Sequence, residues 1–179
     1  MNCIENKVGK AIKQEEVLQI IRDLVKIPSH WAQEKREIPI ANHLKSLFES
    51  EGIDVYLQKV VDGRSNVIAT LKGTGEGPSL MFNGHIDTVP PFGMDRPFDA
   101  IVQGNKLYGR GSVDMKSGVG TMAYALIILK RLGVKLKGDV IFAGVIDEDA
   151  AGSAGSRYIV EHGPLTDYAI VTEPTKFEP

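Results

Sequence analysis

The chain has a single cysteine, Cys3, among its 179 residues, so an intrachain disulfide is excluded and nothing in its covalent chemistry requires an oxidising compartment. Long apolar runs are also missing. The longest, around Tyr124 to Leu129, falls far short of the roughly 20 residues a membrane span needs, so no membrane partner is expected. The N-terminal stretch MNCIENKVGK is polar and lacks the apolar core of a secretory signal, which together with the lone cysteine predicts a cytoplasmic protein. No excess of positive charge exists either: the formal net charge is −2, Lys and Arg are interspersed with Asp and Glu, and no aromatic-basic interleaving offers a platform for bases. Nucleic acid is therefore excluded as a partner. No composition shift or charge block marks a boundary, and 42% hydrophobic content is enough for one core, so residues 1–179 read as part of one domain.

What the chain does have gathers at residues 80–89, LMFNGHIDTV, where an apolar run delivers a histidine and an aspartate into a turn with Pro90 and Pro91. In extended backbone, residues i and i+2 point the same way, so His85 and Asp87 share a side while Ile86 faces the core. That spacing suits a carboxylate–histidine–metal relay, in which one ring nitrogen binds the ion and the carboxylate takes the other N–H. His-x-Asp alone is weak evidence, and further ligands must come from elsewhere.

Along the chain, residues 15–26 carry Val17, Ile20, Ile21, Leu24 and Val25 at helical spacing until Pro28 stops the helix. The polar turn at 29–33, with His30 and Trp31, reads as an ordinary loop. A second helix at 36–50 ends at Gly52, and strands follow at 54–61, 66–72 and 80–84. Residues 99–108 read as a hairpin around Gly104-Asn105 that overhangs the site. The glycine-rich turn GRGSVDMKSG, 109–118, leads into a helix at 116–132 whose apolar residues lie nearly all round it. That pattern predicts burial, with Gly118 and Gly120 allowing close contact. Asp114 stands at the start of this helix, and on local grounds alone a capping aspartate is favoured over a ligand.

A β-branched strand at 139–146 runs into Asp147-Glu148-Asp149, a helix follows at 154–162, and a last strand at 168–172 delivers Glu173. Three adjacent carboxylates repel one another unless a cation or protons neutralise them, and a cation is the simpler explanation. Strands alternating with helices predict an α/β fold with a mixed, largely parallel sheet flanked by helices, whose site lies beyond the carboxyl ends of the strands. One imidazole with several carboxylates and no thiolate suits zinc, cobalt or manganese in a hydrolytic site better than a structural zinc. Two ions about 3.5–4 Å apart would use the surplus of acids.

The turn Ile27-Pro28-Ser29 and four ordered stretches, NGHIDTVP at 83–90, YGRGSVDMK at 108–116, DED at 147–149 and TEPT at 172–175, resemble the M20 family of zinc peptidases and deacylases. The resemblance implies a zinc-peptidase-like catalytic domain that hydrolyses amide bonds of N-acyl amino acids or short peptides, with Zn2+ (one or two per site, Co2+ or Mn2+ as alternatives) as cofactor. It implies that His85 and Glu173 bind one metal, that Asp114 bridges both, and that Asp149 binds the second. Asp87 would orient His85, and Glu148 would be the general base that takes a proton from the bridging water and passes it to the leaving nitrogen. A cis peptide bond after Asp114 is implied as well.

Two departures from the family pattern stand out. Asp149 occupies a position where a glutamate is usual. The family's second-metal histidine and its lid domain lie downstream of Pro179, and His162 does not match that histidine. The expectation is an N-terminal portion of a catalytic domain, ending before the lid through which the intact protein would dimerise. A co-catalytic zinc aminopeptidase of related fold, and a metal-binding but inactive truncated domain, are the alternatives.

Overall fold

The N-terminal stretch that reads as merely polar is helical. Helix α1 (Cys3–Ala11) carries Glu5 in its first turn and Lys10 in its last, the arrangement a helix dipole favours. The Tyr124 hydroxyl, from a later helix, accepts the backbone N–H of Lys13 at 2.9 Å and ties down the junction that follows. The computed structural model describes residues 3–175. Met1 and Asn2 of the N-terminal stretch, and the last four residues with Pro179, lie outside the described set.

Helix α2 (Gln14–Lys26) buries Leu24 and Val25 and ends two residues before Pro28. Helix α3 (Ile38–Ser50) starts two residues later than its apolar spacing suggests, because Arg36 has a left-handed backbone (φ 40°) and Pro39 sits in the first turn, where its missing N–H costs nothing. Strands β1 (Asp54–Val61) and β2 (Arg64–Leu71) form a hairpin closed by Asp62 and Gly63, both at positive φ. Such a two-residue turn lets pairing run up to Val61 and Arg64, so β2 begins earlier than expected. Next come β3 (Leu80–His85), the short hairpin β4 (Ile101–Gln103) with β5 (Lys106–Tyr108), α4 (Lys116–Arg131), β6 (Val140–Val145), α5 (Ala154–His162) and β7 (Tyr168–Val171).

The five long strands lie in the order β1-β2-β6-β3-β7. β2 is antiparallel to both β1 and β6, while β3 is parallel to β6 and β7, so four of the five strands run the same way. Central β6 is buried along its whole length, as a strand covered on both faces must be. On one face Phe142 packs against Phe48 of α3 with ring centroids 5.0 Å apart, within a core that includes Leu24, Leu44, Val119, Leu126 and Ile127. On the other, Ile141, Ala143 and Val145 meet Ile68, Met81 and Ile159 of α5. The expected close approaches of α4 are present: a Cβ at Gly118 would lie 2.2 Å from the Thr172 hydroxyl oxygen, and one at Gly120 would lie 2.7 Å from Ile21 of α2. Because β3, β6 and β7 are parallel neighbours, their carboxyl ends open on one edge of the sheet. Among the described residues no helix is long and apolar enough to cross a membrane.

Candidate metal centre

That shared edge is where the acids collect. β3 ends on His85, β6 is followed by Asp147-Glu148-Asp149, and β7 is followed by Glu173. Asp114 arrives from the turn before α4. It does not cap that helix: Met115 holds the N-cap position and no side chain caps it. The peptide bond between Asp114 and Met115 is cis, in agreement with what the resemblance implies. Met115 is itself buried, and its sulfur accepts the backbone N–H of His85 at 3.2 Å, which brings the Asp114 turn against the end of β3.

His85 is the centre of the arrangement. Its Nε2 lies 3.0 Å from Asp114 Oδ1, 3.7 Å from Glu173 Oε2 and 3.8 Å from Glu148 Oε2. The imidazole is 1% exposed, whereas Asp114, Glu148 and Glu173 are 52%, 50% and 42% exposed, so a buried ring looks out at an open fan of carboxylates. Among the described residues, two groups of three donors have their ligand atoms within 4.8 Å of one another: His85, Asp114 and Glu173, and His85, Glu148 and Asp149. The sequence-derived residues thus come together. Asp149 falls in a group with Glu148 rather than with Asp114, and its Oδ2 accepts the backbone N–H of Val89 at 3.0 Å.

Asp87 works in two directions. Its backbone oxygen is 3.1 Å from His85 Nδ1 and its carboxylate 3.6 Å away, while the same carboxylate accepts the backbone N–H groups of Glu148 at 3.2 Å and Asp149 at 2.9 Å. One buried side chain therefore supports both the imidazole and the acidic turn.

Electrostatics follow from the crowding. Burial opposes a charge on His85, but the hydrogen bond and charge of Asp87, then the charges of Asp149 and Glu173, outweigh it and raise its pKa to about 10. Asp149 and Glu173 are themselves raised above the usual carboxylate range, first by burial and then by neighbouring acids, with His85 opposing. A cluster in which both imidazole and carboxylates hold protons more tightly than usual is short of positive charge. A divalent cation would supply it, and a donor set of one imidazole nitrogen with carboxylate oxygens suits zinc, manganese or cobalt.

Several participants escaped the sequence reading. Lys116 is wholly buried and donates to Ile27 O at 2.7 Å, and burial lowers its pKa to about 7 against the pull of Asp87. His30 is buried rather than part of an open loop, bridges in parallel fashion to Thr88, and stacks on Phe98 at 6.0 Å; Trp31 stays exposed. Glu37, Arg64 and Asn66 are also buried. Polar residues on helix and strand flanks carry no local signal of burial, so only the tertiary contacts identify them.

The profile of peptidase family M20/M25/M40 matches residues 81–178. N-formyl-4-amino-5-aminomethyl-2-methylpyrimidine deformylase of Halalkalibacterium halodurans is 32% identical over 185 aligned residues, covering 99% of this chain and 43% of the relative. A probable succinyl-diaminopimelate desuccinylase of Staphylococcus aureus is 31% identical over 168 residues, covering 90% of this chain and 40% of the relative. Among solved structures, human carnosine dipeptidase 1 superposes with a TM-score of 0.80 at 20% identity, over 97% of this chain and 42% of that one, which is a likeness of fold. The chain spans well under half the length of each of these relatives.

Proposed function

The chain belongs to peptidase family M20/M25/M40, and on that premise we propose that it carries the metal-binding half of an amide-bond hydrolase acting on N-acyl amino acids or short peptides. The observation that supports this best is the buried His85 ring facing Asp114, Glu148 and Glu173 across 3.0–3.8 Å. In this reading His85, Asp114 and Glu173 hold one divalent ion, and Asp149 with Asp114 contributes to a second. Zn2+ is the first choice, and Co2+ or Mn2+ fit the same donors. The bound metal supplies Lewis acidity at a carbonyl oxygen and makes a nearby water easier to deprotonate.

The chain's own residues do the rest. Asp87 holds the His85 ring from its Nδ1 side, leaving Nε2 as the ligand atom, and through the two backbone N–H groups it fixes where Glu148 stands. Glu148, half exposed and 3.8 Å from Nε2, takes the proton of the attacking water and returns it to the leaving nitrogen. Two carboxylates thereby divide the labour: one orients and one transfers protons. The lone cysteine agrees with a reducing cytoplasm as the working compartment.

The test is hydrolysis of a panel of N-acyl amino acids and dipeptides with added Zn2+, Co2+ or Mn2+. The assay uses this chain alone, and also this chain joined to the polypeptide that follows the matching region in the relatives. Turnover that depends on metal and disappears with Glu148→Gln supports the proposal. Metal binding without turnover in either form would instead assign the chain to a catalytically silent metal-binding domain.

A further inference from the structure

The acidic turn is gripped from behind as well as from Asp87. Arg64 and Asn66 stand two apart on β2, both buried, and both reach the segment that carries Glu148 and Asp149. Arg64 Nη1 donates to Glu37 Oε1 at 3.1 Å and to Asp147 Oδ1 at 3.0 Å, so a single guanidinium joins the start of α3 to the first residue of the turn. Asn66 Oδ1 accepts the backbone N–H of Ile146 at 3.2 Å while its Nδ2 donates to Gly155 O at 3.0 Å, so one amide closes both ends of the loop. The loop is tight within itself: Gly155 N–H donates to Ile146 O at 3.2 Å and Ser153 N–H to Asp147 O at 2.6 Å. A Cβ at Gly152 would lie 1.9 Å from Asp147 Oδ2, so only glycine leaves room for the carboxylate that Arg64 holds.

We infer that Arg64, anchored by Glu37, and Asn66 are positioning residues for the proton-transferring turn: they fix the left-handed backbone of Asp147 and thereby aim Glu148 and Asp149 at His85. Asp147 has φ 69°, a conformation few residues hold unaided. Its carboxylate, which accepts from Arg64 Nη1, is the handle by which it is held. Arg64 holds the Asp147 side chain and Asn66 the Ile146 amide, while Asp87 accepts the amides of Glu148 and Asp149, so each residue of 146–149 is held. The effect on metal binding rests on the ligand assignment proposed above, whereas the positioning itself does not.

Removing Arg64 alone would strand Glu37 as a buried, unpaired carboxylate, so the informative variant replaces both, Glu37→Met with Arg64→Met. Amide hydrogen exchange of the metal-free 179-residue chain is read residue by residue, and Co2+ binding is followed by its visible spectrum. The expected result is exchange at the Glu148 and Asp149 amides at least about tenfold faster, with the β6 amides unchanged, and a Co2+ spectrum altered in intensity at saturation. Arg64→Lys, which keeps the charge but loses the fork, should fall between wild type and the double variant. If the double variant also loses protection in β6, it has not folded. Asp147→Asn then decides, since it removes the charge by which Arg64 holds the turn and tolerates the same backbone. Unchanged exchange at 148 and 149 in a folded variant overturns the inference. Faster exchange with an unchanged Co2+ spectrum upholds the positioning and overturns the assignment of Glu148 and Asp149 to the metal's surroundings.

Discussion

Asp87 accepts the backbone N–H of Asp149 at 2.9 Å, across 62 residues of sequence, and with the Glu148 N–H it accepts as well this bond helps join the histidine-bearing strand to the acidic turn. Both oxygens of the buried Asp87 carboxylate accept backbone amides, so Asp87 acts through the groups it holds. Asp87→Asn keeps the shape but turns an acceptor into a partial donor facing two N–H groups. Metal affinity is expected to fall about 10- to 100-fold while the melting temperature drops only modestly, as checked by isothermal titration and thermal unfolding.

The raised pKa of His85 makes metal binding depend on pH in a defined direction. In the metal-free fold the imidazolium is favoured up to about pH 10, against an ordinary value of 6.5. Its contribution to stability is therefore complete below the unfolded value and disappears as pH rises through about 10. A metal must displace that proton, so affinity should rise by about tenfold per pH unit between pH 6.5 and 9 wherever one proton is released. Titration of the His85 ring protons by NMR, with zinc affinity measured in parallel, checks both halves. A pH-independent affinity over that range would contradict the account.

Glu148→Gln and His85→Ala should differ in kind. Glu148→Gln leaves metal uptake within a few-fold of wild type and lowers hydrolysis in the active form by about 10²–10⁴-fold, the usual worth of a positioned general base. His85→Ala removes the one nitrogen donor common to both donor groups and should abolish tight metal uptake. Metal analysis after dialysis, beside activity, separates the two.

Metal stoichiometry follows from the unequal groups. His85, Asp114 and Glu173 have open carboxylates around the ring nitrogen, whereas Asp149 is already committed to the Val89 N–H, and its side chain is one methylene shorter than a glutamate. One ion should bind firmly and a second at least about 100-fold more weakly, read as two steps in a calorimetric titration. Two equal tight steps would mean that Asp149 leaves Val89 to serve as a full ligand.

How much of this was legible beforehand depended on whether the deciding interaction was local. The helix at Ala154–His162 was readable to the residue, because its periodic run is bounded by Gly163, and β6 was readable because a buried strand shows as an unbroken apolar run. His85, Asp87 and Glu173 were legible from their places at strand ends. Asp114 is ambiguous in the sequence, since capping and ligation ask for the same residue type; in the fold the N-cap falls on Met115 and Asp114 Oδ1 stands 3.0 Å from His85 Nε2. Helix α1 is not legible because its nine residues offer Ile4 and Val8 as a single i, i+4 pair, too short a run for a periodicity to show. Arg64, Asn66 and Glu37 are invisible for another reason: each is an ordinary polar residue with partners 27 to 89 positions away, beside the nearer Gln58 of Asn66. Sequence spacing cannot report such contacts.

Anomalous diffraction from crystals of the chain grown with Zn2+ tests the central claim most directly. The strongest zinc peak is expected within bonding distance, about 2.0–2.2 Å, of His85 Nε2 and of carboxylate oxygens from Asp114 and Glu173. A strongest peak that leaves His85 Nε2 uncoordinated, or no peak at the carboxyl ends of β3, β6 and β7, would contradict it.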